Sequence, residues 1–518
     1  MPILTRLILI ARAGISASIF YYFTHASKGN GMPTNATYTY PVHFRPSHID
    51  PVDLGALDEW DVYRAIHDKL FVTESGKGIF EGVIAESWLF EQQKQRLSVT
   101  IKEGIKFSDG SRISVDDVIF SIKRKILLTF AKNPVLPACM GIKKPVLSIN
   151  GEINLPQIRK VDSRRFEMDI IGCDQGILEE LSGTNFAIVK KSEVGSDFKL
   201  KQVPIVSGAF QYAINSTEGE MYLQPNTKNW RYLERKIRQP FSIKIVPYSK
   251  AQEAINDIKP RVDLPDFLKV TSPDLFEKLS KSGYKHVMSV PNTAVILSLL
   301  PLDPKTVSKN ERDTLTYIEK KFDREKIVRE VGGHFYSATN QLFPPDMNCS
   351  ADSQSRDLRS ETQVIPSKII IELVSRDSNP NANKLFQSIK ANIESMGFRV
   401  LGPSAHGNED QKMRVKIMIT GQHLGLRPVE VVNLMVGQLQ QVPDPGNRMK
   451  KIISESMTIS DKDQAAKIVC NEFHHFNHFP ILHRRTAFMA KDEKLLTVFS
   501  PVTAAVHLEK MIEILGEK

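Results

Sequence analysis

Residues 369–401 have the sequence IIIELVSRDSNPNANKLFQSIKANIESMGFRVL, and this stretch decides the fold class. Ile369 to Val374 is apolar except for Glu372 and has the length of a buried strand. The next segment carries one apolar helical face, formed by Leu385, Phe386, Ile389, Ile393 and Met396. Gly397 then ends the helix, and Phe398 to Leu401 returns as a strand. Strand, helix and strand at this spacing predict a right-handed crossover in a helix-covered sheet, and therefore an α/β fold.

A second unit nearer the amino terminus has the same alternation. Leu97 to Lys102 alternates apolar and polar residues as a half-buried strand does, and Phe107 to Gly110 is a turn signal. Ser114 and Asp117 form the capping pair that opens a helix. The apolar face of that helix is Val118, Ile119, Ile122 and Ile126. Alternating strands and helices in both units predict the same fold class.

The size and charge of the chain narrow the classes of function. Its 518 residues exceed what one hydrophobic core usually supports, so two or three compact units are expected. The formal charge is +10, but the 69 basic and 59 acidic residues are interspersed along the chain. Nucleic-acid binders concentrate basic charge in a stripe with interleaved aromatic residues, and the sequence has no such stripe. We therefore expect no nucleic-acid partner.

The amino terminus has the layout of a secretory signal peptide. Arg6 and Arg12 are positive, and no acidic residue occurs before Asp50. The run from Ile15 to Phe23 is apolar, and Ala26 is a small residue at the expected cleavage point. Residues 1–26 are therefore predicted to be removed on export. A retained membrane anchor is the alternative, because Leu7 to Phe23 spans 17 residues, near the lower limit for crossing a bilayer.

The four cysteines are Cys139, Cys173, Cys349 and Cys470. Their spacing fits neither a zinc site nor a redox pair of the two-residue type. Export would allow one or two disulfides, whose pairing the sequence leaves open. No cysteine follows the apolar leader, so a lipid-anchored form is not expected, and a freely diffusing periplasmic protein fits better.

Several short motifs occur in the order found in one transport family. The segments are 48–70 (HIDPVDLGALDEWDVYRAIHDKL), 83–88 (VIAESW), 104–110 (GIKFSDG), 114–124 (SVDDVIFSIKR), 207–210 (SGAF), 225–230 (PNTKNW), 322–328 (FDREKIV) and 343–345 (FPP). In these residues the chain resembles the extracellular solute-binding proteins, family 5, which serve ATP-driven importers of oligopeptides, dipeptides and nickel. The resemblance spans about residues 38–515. Trp88, Phe107 and Trp230 within it are expected to be packing residues rather than ligand contacts.

The resemblance implies a two-lobed periplasmic binding protein fold of the three-domain, peptide-binding type. Lobe 1 would contain a discontinuous domain I, at residues 38–72, 183–288 and 482–518, and an inserted domain II at residues 73–182. Lobe 2 would be domain III, at residues 289–481. A ligand cleft would lie between the lobes, which close over the ligand by a hinge and then dock on the importer permease at the inner membrane.

The resemblance also implies where the ligand binds. Peptide binders of this kind pair the ligand backbone with protein strands. The matching strand here is 418–425 (MITGQHLG), and the lobe 1 contact matches Leu57. The ligand-binding residues implied are Leu57, Thr420, Gly421, Gln422, His423, Gly425 and Arg427. Ordinary strand and loop roles are the alternative for these residues.

One departure from the pattern bears on the ligand. Peptide-binding relatives carry an Asp in this segment that pairs with the ligand's ammonium, and Gly425 occupies that place. A desolvated ammonium without a carboxylate partner is costly. Either another acid supplies the charge, with Glu430 the nearest candidate, or the ligand lacks a free amine. Arg427 favours an anionic group on the ligand.

Metal and catalytic sites have weaker support. His474 and His478 are four residues apart, which on a helix places both on one face, but no third ligand is evident. Phosphate-binding glycine loops, G-x-S-x-G and H-E-x-x-H are absent from the sequence. We therefore expect no bound metal, no cofactor and no enzymatic activity. A histidine-based metallohydrolase remains the enzyme alternative.

The sequence thus predicts a monomeric periplasmic binding protein that captures short peptides for an importer. A non-peptide solute or a metal chelate is the alternative on the same fold, because of Gly425. A membrane-tethered sensor is the alternative from another class, if the leader is retained.

Overall fold

The computed structural model describes residues 36–42, 50–52, 57–73, 79–130, 135–148, 151–171, 177–201, 204–215, 220–235, 241–257, 264–300, 307–343, 364–376, 382–402, 413–423 and 478–515. The predicted signal peptide lies outside these residues. None of the helices in these ranges is long and apolar enough to cross a membrane.

The strands, numbered along the chain, are β1 Ala36–Val42, β2 Phe71–Val72, β3 Glu81–Gly82, β4 Ala85–Glu91, β5 Arg96–Ile101, β6 Val146–Leu147, β7 Ile153–Asn154, β8 Ile158–Lys160, β9 Arg165–Asp169, β10 Phe210–Asn215, β11 Glu220–Pro225, β12 Phe241–Pro247, β13 Phe267–Val270, β14 Lys285–Met288, β15 Thr293–Leu300, β16 Tyr336–Ala338, β17 Ile369–Ser375, β18 Arg399–Leu401, β19 Met413–His423, β20 His478–Arg484, β21 Ala487–Ala490, β22 Phe499–Ser500 and β23 Ala505–Val506.

The α-helices are α1 Leu57–Ile66, α2 Val115–Thr129, α3 Val135–Cys139, α4 Ile177–Leu181, α5 Trp230–Arg235, α6 Tyr248–Asp257, α7 Pro273–Lys281, α8 Lys309–Lys321, α9 Arg324–Val331, α10 Ala382–Glu394 and α11 Met511–Leu515. Short 3-10 helices lie at Gln92–Lys94, Thr184–Phe186, Lys191–Glu193, Pro366–Lys368, Glu493–Val498 and Leu508–Lys510.

The described strands form four sheets of three or more strands and three two-stranded sheets, β2-β3, β6-β7 and β22-β23. Sheet 1 has the order β1-β12-β11-β10, and sheet 2 has the order β4-β5-β9-β8. Sheet 3 is six-stranded, with the order β16-β20-β15-β19-β17-β18, and sheet 4 has the order β13-β21-β14. The chain leaves sheet 1 to form sheet 2 and then returns to it, and it leaves sheet 4 to form sheet 3 and returns again. The domain boundaries assigned from the sequence stay predictions.

The strand–helix–strand unit predicted at residues 369–401 is confirmed. Strands β17 and β18 pair in parallel and are joined through α10. The buried face of α10 includes Leu385, Ile389 and Ile393, as the apolar spacing predicts. Gly397 follows the helix with φ +92°, a conformation that other residues rarely adopt.

The unit predicted around residues 97–126 is also confirmed. Strand β5 pairs with β4 and β9. The turn at Phe107–Gly110 closes with the Gly110 N–H donating to the Phe107 carbonyl over 2.9 Å. Helix α2 begins with the predicted capping box, in which Ser114 and Asp117 each accept a hydrogen bond from the other's backbone N–H.

Apolar side chains form three buried cores. Core 1 packs α1 and sheet 1 against the carboxyl-terminal residues 488–512. Core 2 lies within residues 70–188, and it also takes in Ala294, Ile296, Leu342 and Phe343. Core 3 lies around one face of sheet 3 and includes residues of α8, α9 and α10. Phe107 is fully buried in core 2, and Trp88 and Trp230 pack against it, so the packing roles expected for these aromatic residues are confirmed.

Three of the family-like motifs meet in a buried polar cluster, which we call the hub: Asp68, Ser207, Asn229 and Arg231. The Arg231 guanidinium bonds the Asp68 carboxylate at 2.7 and 3.0 Å, and Asn229 Nδ2 donates to the same carboxylate at 3.2 Å. Ser207 Oγ accepts from the Asp68 N–H and donates to the carbonyl of Ile188. The hub therefore ties the end of α1 to the 207–210 and 225–230 motifs.

Gly208, inside one of these motifs, shows why the motif needs a glycine. A Cβ atom at this position would lie 2.4 Å from the Ile66 carbonyl carbon and 2.6 Å from the His67 nitrogen. Both atoms belong to the backbone, so no side-chain movement relieves the clash. The absence of a side chain lets the Gly208 N–H donate to the Ile66 carbonyl at 2.9 Å.

The cysteine predictions are tested at one position. Cys139, at the end of α3, is disulfide-bonded. The other three cysteines lie outside the described residues, so the pairing stays open. A disulfide fits the oxidising compartment expected for an exported protein.

Candidate functional site

The predicted ligand strand is β19, an inner strand of sheet 3. It pairs antiparallel with β15 along its carboxyl-terminal part, from Leu300 opposite Lys416 to Thr293 opposite His423. On its other side it pairs in parallel with β17, from Ile369 opposite Met413 to Ser375 opposite Ile419. The two neighbouring strands therefore end at different points along β19.

Among the described residues, this difference leaves the backbone at the end of β19 without a partner strand on one side, and we call this side the free edge. The last contact on the β17 side is the Arg376 N–H, which donates to the Ile419 carbonyl over 2.9 Å. Beyond it, Thr420 to His423 pair with β15, and within the described part of the chain no strand pairs with their other side. Backbone groups of alternate residues in a strand point to opposite edges. Since the Ile419 carbonyl points towards β17, the N–H and C=O of Gly421 point to the same, unpaired side.

The register also assigns the side chains of this segment to faces of the sheet. Thr420 lies opposite Ile296, which belongs to core 2, and both residues are buried. Gly421 lies opposite Val295, which belongs to core 3. The Thr420 face of the sheet is therefore the one that meets residues 70–188. Gly421 contributes backbone groups alone.

The remaining predicted ligand residues are only partly described. Gln422 and His423 lie in β19 in register with Ala294 and Thr293, and their side chains lie outside the described residues. Leu57 is the first residue of α1, and its side chain is likewise outside them. Gly425, Arg427 and Glu430 lie wholly outside the described residues. The roles assigned to all these residues stay predictions.

Arg376 is a residue that the sequence reasoning missed. It follows the last residue of β17, is exposed, and holds the Ile419 carbonyl through its backbone N–H, directly beside the free edge. A guanidinium binds carboxylate or phosphate groups through two parallel hydrogen bonds. The signal was available, because ligands of open α/β sheets bind beyond the carboxyl ends of parallel strands, and Arg376 follows a strand that the sequence predicted.

The histidine-rich stretch is not arranged as the helical spacing assumed. His478 is the first residue of β20, a strand, so the one-helix-face argument for His474 and His478 is wrong at His478. His474 lies outside the described residues. His483, on the same strand, contacts the Leu342 carbonyl through Nε2 at 3.2 Å. In the described ranges, no three His, Cys, Asp or Glu side chains are grouped as metal ligands.

Two short segments connect sheet 3 to sheet 4, and we call them the junction: residues 289–292 and 484–486. The Ser289 N–H donates to the Thr486 carbonyl at 2.8 Å, and the Thr486 N–H donates to Ser289 Oγ at 2.9 Å. The Asn292 N–H donates to the Arg484 carbonyl at 3.0 Å. A side-chain oxygen thus replaces one backbone acceptor where the chain passes between the sheets, so the regular ladder is interrupted there.

The comparisons with known proteins agree with this fold. The model of the bacterial extracellular solute-binding proteins, family 5 (middle region), matches residues 80–401. No curated protein gives a significant match. The family match identifies the family, and the solved structures described next concern the fold.

Three solved structures illustrate the similarity. A dipeptide-binding protein from Pseudoalteromonas sp. SM9913, in complex with Met-Leu, has 12% identity and a TM-score of 0.69, covering 91% of this chain and 99% of its own. NikA from Brucella suis, in complex with Fe(III)-EDTA, has 15% identity and a TM-score of 0.65, covering 92% and 99%. AgaA from A. tumefaciens R10, in complex with agropinic acid, has 13% identity and a TM-score of 0.68, covering 92% and 97%.

These matches span nearly the whole chain of each protein, and their low identity restricts the conclusion to the fold. The α/β periplasmic binding protein fold predicted from the sequence is therefore confirmed. With the family model matching more than half of the chain, the protein belongs to the bacterial extracellular solute-binding proteins of family 5.

Proposed function

We propose that this protein captures a short peptide, or a similar small ligand with a carboxylate, and delivers it to the permease of an ATP-driven importer. Lobe 1 would comprise residues 38–72, 183–288 and 482–518 with the insert 73–182, and lobe 2 residues 289–481. The junction supports this division, because the chain passes between sheets 4 and 3 there through an interrupted ladder. Such a connection suits a hinge.

The free edge at Gly421 is the observation that carries the proposal. An extended ligand adds to an exposed strand edge through its main-chain groups, whatever its side chains are. The N–H and C=O of Gly421 are oriented to accept such a ligand, beyond the end of β17. Gly421 lies opposite Val295 of core 3 and has no side chain. A ligand at the free edge would therefore contact its backbone groups.

Arg376 supplies the charge that a peptide's carboxyl end requires. It lies at the end of β17, next to the point where the free edge begins. A peptide that pairs with the free edge antiparallel to β19 would place its carboxyl end beside this cation. A charge-assisted contact to a carboxylate is about twice as strong as a neutral hydrogen bond.

A non-peptide anion is the second candidate, and the sequence at Gly425 favours it. The place of the ammonium-binding Asp is taken by a glycine, and Arg427 follows two residues later. A ligand with carboxylates and no free amine would satisfy Arg376 and require no acid. Binders of Fe(III)-EDTA and of agropinic acid occur among the similar structures.

The proposed setting is the periplasm. We propose export through the signal peptide at residues 1–26, action as a monomer without lipid anchor or enzymatic activity, and docking of the closed form on the permease at the inner membrane. Amino-terminal sequencing of the mature protein separates this from the membrane-tethered sensor. A start after Ala26 agrees with export, and an intact amino terminus contradicts it.

Native mass spectrometry of the protein, purified without denaturation, tests the proposal directly. We expect a co-purified ligand that carries a carboxylate and that is lost from Arg376→Ala, because the cation at the free edge is gone. Arg399→Ala is the matched control, since Arg399 is exposed on β18, away from the free edge. It should retain the ligand.

Melting shifts with a peptide library and a panel of non-peptide carboxylates separate the two candidates. A ligand bound only by the folded state adds about 2.7 kcal/mol at about one hundred times its Kd. Stabilisation by peptides supports the first candidate, and stabilisation by carboxylates without an amine supports the second. No co-purified ligand and no stabilisation by either panel would contradict the proposed function.

A further inference from the structure

The start of the free edge determines where an antiparallel peptide must end. Ile419 and Gly421 direct their backbone groups to the same edge of β19, because these groups alternate along a strand. The Ile419 carbonyl already accepts from the Arg376 N–H over 2.9 Å. Among the described residues, the groups of Gly421 are therefore the first on this edge that a ligand can pair with. A peptide that runs antiparallel to β19, with its carboxyl end beside Arg376, has its last residue opposite Gly421.

The same pairing assigns the last side chain of the peptide to one face of sheet 3. Residues directly opposite each other in an antiparallel pair project their side chains to the same face. Gly421 lies opposite Val295, and both Val295 and Ile419 belong to core 3. The last side chain of the peptide would therefore lie on the core 3 face. The side chain before it would lie on the Thr420 face, since successive side chains alternate.

Gly421 leaves space for this last side chain. Opposed Cβ atoms in an antiparallel pair are about 4.5–5.5 Å apart, so a side chain at position 421 would lie directly beside that of the ligand. Gly421 is half-buried. Ser375 ends β17 opposite Ile419, on the same face, and it is exposed. The space beside Gly421 thus borders core 3 on one side and meets solvent at Ser375.

We propose that Gly421 determines the specificity for the last residue of a peptide ligand, by forming a subsite for a large apolar side chain. The proposal rests on the proposed capture of a peptide at the free edge. The neighbours on this face, Val295 and Ile419, are apolar. An aromatic side chain opposite an edge glycine covers the glycine backbone and stabilises the pairing of the strands. The ligand side chain would also be removed from water, which is favourable in proportion to its apolar area.

Titration calorimetry of the full-length protein, freed of co-purified ligand, tests the subsite. The Kd is measured for the tripeptides Ala-Ala-Gly, Ala-Ala-Leu and Ala-Ala-Phe. We expect the native protein to bind Ala-Ala-Phe about tenfold more tightly than Ala-Ala-Gly, because a large apolar side chain is partly buried. Gly421→Val should abolish this preference, since valine suits a strand and its side chain fills the space. A general disturbance of β19 would weaken all three peptides equally, so the ratio of the Kd values is the readout.

Gly402→Val is the matched control. Gly402 follows β18, the outer strand of the same sheet, and a Cβ atom there meets no atom within 4 Å. This variant should keep the native ratio of Kd values. If Gly421→Val does not fold, Gly421→Ala makes the same test with a smaller expected change. Ala-Phe-Ala places the ring on the other face, so its Kd relative to Ala-Ala-Ala should be the same in the native protein and in Gly421→Val.

Equal Kd values of the native protein for the three peptides would overturn the subsite. An unchanged ratio in Gly421→Val, or an equal change in Gly402→Val, would do the same. A preference that depends on the second residue of the peptide instead of the third would mean that the assigned faces are reversed. Peptides that bind without preference would leave the proposed capture intact. Absence of binding of every peptide to the native protein would contradict peptide capture itself, and the subsite with it.

Discussion

The hub around Asp68 and the free edge at Gly421 differ in how completely their polar groups are used. In the hub, the Asp68 carboxylate accepts from Arg231 and Asn229, and Ser207 both accepts and donates. At the free edge, described strands pair with one side of the Gly421 backbone alone. A region whose hydrogen bonds are all internal adds stability, and a region with backbone groups to spare is available to a ligand. Three of the motifs that mark the family, 48–70, 207–210 and 225–230, contribute residues to the first region.

Breaking the hub should have the largest effect on stability. Asp68→Ala leaves the buried Arg231 without its hydrogen-bonded carboxylate, and breaking a buried ion pair by removing one partner costs about 3–5 kcal/mol. The measurement is the free energy of unfolding from urea denaturation. The co-purified ligand should stay bound to the fraction that folds.

Glu277→Ala is the control for Asp68→Ala, because Glu277 forms an exposed ion pair with Lys281. We expect no measurable change from it, since exposed pairs contribute little. Equal losses of stability in the two variants would contradict the distinction between buried and exposed pairs. Loss of ligand from the folded Asp68→Ala protein would show that the hub takes part in binding.

Acid should remove a buried negative charge, that of Glu509, which interacts with Arg231 of the hub. Burial raises the pKa of Glu509, but the hydrogen bond from His507 and the charges of His507 and Arg231 outweigh it and lower the pKa to about 2. A carboxylate with a lowered pKa stabilises the fold above its ordinary value of 4.5, and this contribution is lost as the pH falls from 4.5 towards 2. The loss should be about 3 kcal/mol.

Urea denaturation of the native protein and of Glu509→Gln between pH 6 and pH 2.5 measures this term. The difference between the two free energies should shrink as the pH falls, because only the native protein loses a charge at this position. A difference that is constant across the range would mean that Glu509 titrates normally in the folded protein.

The sequence predicted the local elements, whereas the ligand-binding residues that it implies stay predictions. Periodicity and capping found β17, α10 and the box at Ser114, because local spacing and local hydrogen bonds determine these features. Arg376 follows a strand that the sequence predicted, but its position beside the free edge depends on where β17 ends relative to β19, a long-range register that no local pattern encodes. The burial of Leu342 and Phe343 in core 2 was not predicted for the same reason, since these residues and residues 70–188 are far apart in the sequence.

Proline substitutions at Thr420 and Gly421, made separately, test which backbone groups face the free edge. The Thr420 backbone faces β15, so Thr420→Pro removes a ladder hydrogen bond and should cost about 1–3 kcal/mol. The Gly421 N–H faces the unpaired side, so Gly421→Pro should change stability less and abolish ligand capture. Unfolding free energies and native mass spectra of both variants make the comparison. A larger stability loss in Gly421→Pro would mean that the assigned edges are reversed.

The smallest effect on stability should come from Ser114, a half-buried motif residue that lies outside the hub. Ser114 caps α2 by accepting from the Asp117 N–H, and its loss in Ser114→Ala should cost about 1 kcal/mol. Asp117→Ala should cost more, because the Asp117 carboxylate accepts from the backbone N–H of both Ser114 and Lys191. Thermal melts rank the two variants, and native mass spectra should show undiminished ligand in each. Weaker ligand capture by Ser114→Ala would mean that the family motifs contribute to binding as well as to folding, and the contrast between hub and edge would fail.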